Sequence, residues 1–315
     1  MKTYLAPMAG ISHSAFRRLI ASFGADSYTG LFTEMIPGRL LLNKTVESDP
    51  ATKRRPEEGP VIYQLLLTGE EDPGRIIEKI LPLSPSGIDL NAACPAPAVK
   101  KLGSGFEVFM DPDRVFRILS GLRRHWSGSL SVKCRLGETA GVWRPAFRDF
   151  VSACEDSGAD FLTLHGRFAD EKLKSVVRRD LMDEARSMTR LPVVANGDIH
   201  TIEKTAFPGF AGIMLGRAVV CCPWIFRLSA DPTFIPDYLD AWERFVGFVK
   251  EDFESEKILP ALKAFGVYFA RNFFFGQVLY GKIQSAAEPV KLDENVRDFL
   301  SSSPQTVRQP DFSGL

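Results

Sequence analysis

Short apolar strings rich in β-branched and aromatic residues recur along the chain, and between them the apolar positions change to a three- and four-residue spacing. The first pattern marks strands and the second marks helices. Strands are predicted at 3–7 (TYLAP), 28–34 (YTGLFTE), 60–66 (PVIYQLL), 87–92 (GIDLNA), 130–135 (LSVKCR), 160–165 (DFLTLH), 192–197 (PVVANG) and 211–216 (AGIMLG). Helices are predicted at Ser14 to Phe23, Pro73 to Leu81, Pro112 to His125, Pro145 to Ser157 and Val177 to Met188. Pro73, Pro112 and Pro145 suit a first helical turn, where the missing N–H costs nothing. Eight strands with helices between them predict a TIM (β/α)8 barrel, an α/β fold, over residues 1–232. An open doubly wound sheet would have fewer strands and a GxGxxG after the first, where this chain has APMAG.

Residues 37–59 are long, charged and proline-punctuated, as expected of an elaborated loop above the second strand. DPTFIPDY at 231–238 marks a boundary. Beyond it the spacing is helical, so residues 233–300 are expected to form a small C-terminal all-helical domain and residues 301–315 a disordered tail. The run ARNFFFG at 270–276 reads as helix-packing core. A hydrophobic fraction of 45% over 315 residues is ample for a large core. Net charge is zero, so any surface for a polyanion must be local. Five unevenly spaced cysteines do not make a disulfide framework, and a reducing cytoplasmic compartment fits them best. The opening MKTYLAPMAG breaks its apolar run too early for a signal peptide, and no run of 18 apolar residues suggests a membrane span.

Polar residues sit at nearly every predicted strand end: Glu34, Gln64, Asn91, Lys133, Arg135, His165, Arg167, Asn196 and Asp198. In a barrel these ends converge on one rim, where so many buried polar groups need partners. Asn196, Gly197 and Asp198, with Gly216 and Arg217, follow the last two strands, where barrels often bind phosphate. Lys133 could form a Schiff base, or it could be a fixed charge beside an electron-accepting ring. His13, His125, His165 and His200 show no ligand spacing, so no metal is expected. Cys94 lies in a rim loop between Asn91 and Pro95, and as a thiol it could serve as proton donor or nucleophile.

Taken together, LAPMAGISHSAFR (5–17), TEM (33–35), DLNAACPAP (89–97) with GSG (103–105), VKCRLG (132–137), LTLHGR (162–167), PVVANGDI (192–199) and IMLGRA (213–218) resemble the tRNA-dihydrouridine synthase family. The resemblance implies an FMN-dependent barrel with a helical domain that binds tRNA. It implies reduction of the C5–C6 bond of particular uridines, with NADPH as co-substrate; separately, the chain is expected to be a monomer. It implies that Pro7, Met8, Ala9, Gln64, Lys133, His165, Asn196, Gly197, Asp198, Gly216 and Arg217 hold the flavin, and that Cys94 is the proton donor. Asn91 would contact the uridine, with Glu34, Arg39, Lys100, Lys101 and Arg135 on the substrate side. Lys257, Lys263, Arg271 and Lys282 would meet phosphates from the helical domain. The chain departs from the family pattern at Pro97 and in HGRFADEKL, with Phe168 and Leu173, and it lacks a later Asp-Trp pair. A flavin oxidoreductase acting on a free pyrimidine or enone is the alternative, and a non-catalytic flavin- or RNA-binding barrel is a third reading.

Overall fold

The computed structural model of the chain describes residues 1–43, 45–172, 175–203, 205–307 and 310. Among these, nine strands form one parallel sheet: β1 (Lys2–Leu5), β2 (Gly30–Phe32), β3 (Ile36–Pro37), β4 (Val61–Leu66), β5 (Gly87–Ala92), β6 (Ser129–Arg135), β7 (Phe161–His165), β8 (Val193–Asn196) and β9 (Gly212–Leu215). β1 pairs with both β2 and β9, and β2 also pairs with β4, so the sheet closes on itself. The two residues of β3 continue the line of β2, since Phe32 pairs with Ile62 and Ile36 with Leu65. The barrel therefore has eight staves, the second of them broken at Thr33–Met35. Each predicted strand and helix is present, with ends shifted by a residue or two. The Pro112–His125 helix shows why: Asp111 accepts from Arg114 N at 3.0 Å, and Val115, Ile118, Leu119 and Leu122 form the buried stripe. The 37–59 stretch carries a helix at Gly38–Asn43 and a 3-10 turn at Pro56–Glu58.

Strand pleating points alternate side chains inward. The floor of the barrel is apolar, built from Tyr4, Phe32, Ile62, Val194 and Met214 with Phe161 against them. Tyr4 fixes it with ring centroids 5.9 Å from both Phe32 and Phe161. Further along four of the strands the inward positions become polar, at Gln64, Asp89, Thr163 and Asn196.

After Asp231 come helices at Tyr238–Asp252, Ser255–Phe269, Gly276–Ser285 and Pro289–Ser301. Their aromatic residues Trp242, Phe245, Phe265 and Phe269 belong to the same hydrophobic core as Phe16 and Leu19 of the first barrel helix. At that junction Asp252 is enclosed by cations and a hydroxyl. Ser14 Oγ donates to it at 2.6 Å, Arg55 Nη2 lies at 2.6 Å and Arg18 Nη1 at 3.5 Å. Burial alone would raise its pKa, but the Ser14 and Arg55 hydrogen bonds outweigh that and hold the carboxyl below its ordinary range. The first part of the stretch expected to be a tail is docked: Thr306 bridges Phe273, and Val307 N donates to Asn272 O at 2.8 Å. Residues 308–309 and 311–315 of that stretch lie outside the described residues, as does Leu173. No helix among the described residues is long and apolar enough to cross a membrane.

His13 caps the first barrel helix by accepting from Phe16 N through Nδ1, at 3.3 Å, and its ring packs 4.7 Å from that of Phe253. A proton on Nδ1 would abolish the cap. Burial, then Arg17, lowers its pKa to about 3. The unfolded chain takes up this proton near 6.5, so it binds more protons than the folded chain throughout that window, and acidification favours unfolding. The Asp252 carboxyl acts in the same direction. His13→Asn, which keeps a capping oxygen, is expected to flatten the loss of stability between pH 6.5 and 4 by up to ~1.4 kcal/mol per pH unit, as measured by urea unfolding. Asp252→Ala is expected to cost about 2–3 kcal/mol at neutral pH, because Ser14 Oγ and Arg55 lose their charged acceptor. A urea midpoint within error of wild type would contradict that.

Candidate active site

The polar positions open into a cavity of ≈ 360 Å³ at the C-terminal mouth of the barrel. Pro7, Met8 and Ala9 line it after β1, Gln64 and Asn91 on β4 and β5, Lys133 and Arg135 on β6, and His165 and Arg167 at the end of β7. Asn196, Gly197 and Asp198 close the side after β8, Gly216 and Arg217 the side after β9, and Cys94 sits in the loop beyond β5. Register brings them together: Asn91 pairs with Lys133, Arg135 with His165, and His165 with Asn196. Each faces inward because each lies at an alternate position on its strand.

A directional hydrogen-bond relay runs through the polar layer. Asp89, fully buried, accepts from Ser131 Oγ at 2.6 Å and from Gln64 Nε2 at 2.8 Å. Gln64 turns its Oε1 to Asn91 Nδ2 at 2.8 Å. Asn91 turns its Oδ1 to the N–H groups of Ala93 and Cys94, at 3.1 and 3.0 Å. The carboxylate accepts only, so it sets the orientation of both amides and, through them, of the loop holding the thiol. Burial raises the Asp89 pKa to about 6, against the Ser131 and Gln64 hydrogen bonds that lower it. From the other side Arg135 Nε donates to Ala93 O at 3.1 Å. Phe106 N donates to Cys94 O at 3.0 Å. Gly105, at φ 63°, permits that approach, since a Cβ there would lie 2.7 Å from Cys94 O.

Burial, then Arg135, lowers the Lys133 pKa to about 8, so the amine is still mostly protonated at neutral pH. Its ammonium makes no hydrogen bond among the described residues and lines the cavity. Burial, then Lys133, Arg135 and Arg167, holds His165 neutral. Its Nε2 lies 3.1 Å from Arg167 Nη1, and because a guanidinium only donates, Nε2 accepts and Nδ1 carries the hydrogen. Asp198 bridges two arginines, with Arg167 Nη2 on one oxygen and Arg217 Nη2 on the other at 2.7 Å. Two guanidinium groups and one carboxylate leave this end of the cavity with a net positive charge. Gly197, at φ 118°, lets the chain pass His165, whose Cδ2 would lie 2.7 Å from any Cβ.

A profile of the dihydrouridine synthase (Dus) family matches residues 4–258. The chain belongs to the dihydrouridine synthase family. It is 30% identical over 242 residues to a probable tRNA-dihydrouridine synthase of Helicobacter pylori, covering 74% of this chain and 71% of that protein. It is also 30% identical over 233 residues to a tRNA-dihydrouridine(16) synthase of Ralstonia nicotianae, covering 70% of each. The old yellow enzyme homologue of Zymomonas mobilis shares the fold, with a TM-score of 0.50 at 12% identity over 76% of this chain and 92% of that one.

Within this dihydrouridine synthase, four residues expected near substrate stand outside the cavity lining. Glu34 accepts from Gly10 N at 2.6 Å, tying the loop after β1 to the broken second stave. Arg39 faces solvent 3.5 Å from Glu70. Lys100 lies 3.7 Å from Glu107, and Lys101 is exposed. Asn91 lines the cavity, yet its amide is engaged by Gln64 and the loop. Asp89, Ser131 and Tyr268 were not picked out in the sequence. The first two lie two residues before Asn91 and Lys133, so counting by twos would have found them. Tyr268 lines the cavity from the helical unit, and no local pattern announces that contact. Among the described residues no group of three or more His, Cys, Asp or Glu could hold a metal ion.

Asp89→Asn would make the relay's end group a donor as well as an acceptor, and the amides could then flip. The hydrogens on the Ala93 and Cys94 amides are expected to exchange at least about tenfold faster, the loss of roughly one hydrogen bond. Unchanged protection would mean that Asn91 holds the loop without Asp89.

Proposed function

We infer that the protein reduces the C5–C6 double bond of uridines in tRNA to 5,6-dihydrouridine, using bound FMN. The observation that carries this reading is the cavity itself. Within a family match spanning residues 4–258, it gathers the thiol of Cys94, the buried cation Lys133 and a doubly charged arginine end around one space.

The residues present fit a flavin mononucleotide. Lys133 is nine-tenths buried with no hydrogen-bonding partner among the described residues, so it needs an acceptor inside the cavity. The pyrimidine edge of an isoalloxazine offers one. Arg167 and Arg217, held by Asp198, suit the phosphate at the other end. We assign Pro7, Met8, Ala9 and Gln64 to the ring system and Asn196, Gly197 and Gly216 to the ribityl phosphate. When bound, reduced FMN supplies the hydride that adds to C6 of the uracil.

The chain's own residues supply the rest. The target base swings out of its stack to enter the mouth of the barrel. Cys94 gives its S–H proton to C5, which quenches the negative charge spread over C5 and O4. Asn91, Arg135 and the Phe106 amide hold the loop so that the sulfur keeps its position through the transfer. Lys133 and Arg135 line the same cavity as Cys94 and keep that side of it positively charged. Tyr268 and the helices after Asp231 form the side on which tRNA is held. We assign NADPH as the electron source. We assign a monomer in a reducing, cytoplasmic compartment, the latter supported by five free thiols.

Cys94→Ala is expected to retain flavin absorbance and to slow dihydrouridine formation by about 10²- to 10⁴-fold in single turnover on tRNA. A rate equal to wild type would remove Cys94 as donor. Equal turnover of free uridine and tRNA by the wild-type protein would favour the small-molecule reading.

A further inference from the structure

Among the described residues that line the catalytic cavity, Tyr268 alone comes from the helical unit, and its phenol is the one hydroxyl. It stands in the last turn of the Ser255–Phe269 helix, half-buried. Its hydroxyl makes no hydrogen bond among the described residues. Burial raises its pKa above the ordinary value, so the phenol keeps its proton at neutral pH and has it to donate.

The packing of the two units puts this hydroxyl at one end of the cavity. Asn272, one turn beyond Tyr268, is buried and donates to Cys221 O at 2.7 Å. Cys222 Sγ donates back to Asn272 Oδ1 at 3.4 Å. Cys221 ends the short helix that begins at Arg217. Residues four apart share one side of a helix, so Tyr268 faces the same short helix that Asn272 grips. The Arg217 guanidinium acts on the phenol through its charge, and both side chains line the cavity. Tyr268 therefore reaches the arginine end.

That end has charge but few side-chain donors to spare. Arg167 and Arg217 each give an N–H to Asp198, and Arg167 gives others to Ser175 O and His165 Nε2. Two guanidinium groups and one carboxylate leave a single net positive charge. A phosphate monoester carries a charge of about −1.5 to −2 at neutral pH and has three accepting oxygens. Gly197, Ile199, Gly216 and Ala218, which complete the lining there, have no side-chain donor. A neutral O–H is the group that would add a hydrogen bond without adding charge.

We propose that Tyr268 donates its hydroxyl hydrogen to the phosphate of the bound flavin, so that the helical unit completes the cofactor site. The inference rests on the FMN reading above. The test dialyses full-length holoprotein against FMN or against riboflavin, which lacks the phosphate, and reads each Kd from the flavin absorbance retained. Tyr268→Phe, which keeps the ring, should raise the Kd for FMN about 10-fold or more, the loss of one hydrogen bond to a charged group, and leave that for riboflavin within about twofold. Tyr268→Leu, which removes the ring as well, should give the same ratio of the two Kd values as Tyr268→Phe. The phosphorus NMR resonance of bound FMN should move in Tyr268→Phe relative to wild type. Equal weakening of both flavins by Tyr268→Phe would overturn the proposal, since only packing would then be lost. So would an unchanged Kd for FMN with a raised KM for tRNA, which would make the phenol a substrate contact. Wild-type protein that retains neither flavin would bring down the FMN reading itself, a result distinct from an unaltered preference for FMN in the variants.

Discussion

Closure of the parallel sheet is the constraint on which the site depends. Once β1 joins β2 and β9, every second side chain of eight staves is committed to one enclosed column. The lower part of that column is satisfied by rings and aliphatic groups around Tyr4. The upper part is filled with groups that must be hydrogen-bonded or charged against one another. A buried carboxylate, two amides, a lysine and three strand-end bases can share so small a space because their demands interlock. Asp89 needs donors and finds Ser131 and Gln64, while the loop amides need an acceptor and find Asn91.

Much of this was readable from the chain, for physical reasons. Strand and helix periodicities differ enough that eight staves and their intervening helices could be counted, and first-turn prolines such as Pro112 marked helix starts. The rim residues stood out because Asn91, Lys133 and His165 interrupt otherwise apolar strings. Asp89 and Ser131 escaped notice because they sit mid-strand, where a polar residue reads as a solvent-facing position; in a closed barrel that same parity points inward. Charge alone did not place Arg39 and Lys100, which lie outside the cavity lining and pair with Glu70 and Glu107.

The helical region was the least legible. Its amphipathic spacing predicts helices but not where they dock. That is settled by Asp252, whose partners Ser14, Arg18 and Arg55 lie some two hundred residues earlier in the chain. The ARNFFFG run shows the same limit: three identical phenylalanines divide into one buried and two exposed in a segment tied to residues 305–307, far along the chain, by a bridge and two backbone hydrogen bonds.

The loop carrying Cys94 is pinned from two sides, by Asn91 below and by Arg135 on the neighbouring strand, and the helical unit is fastened to the barrel by the Asp252 cluster. Thiol loop and helical unit are thus anchored to one closed sheet, and the span between them is set by that frame, as the span of a caliper is set by its beam.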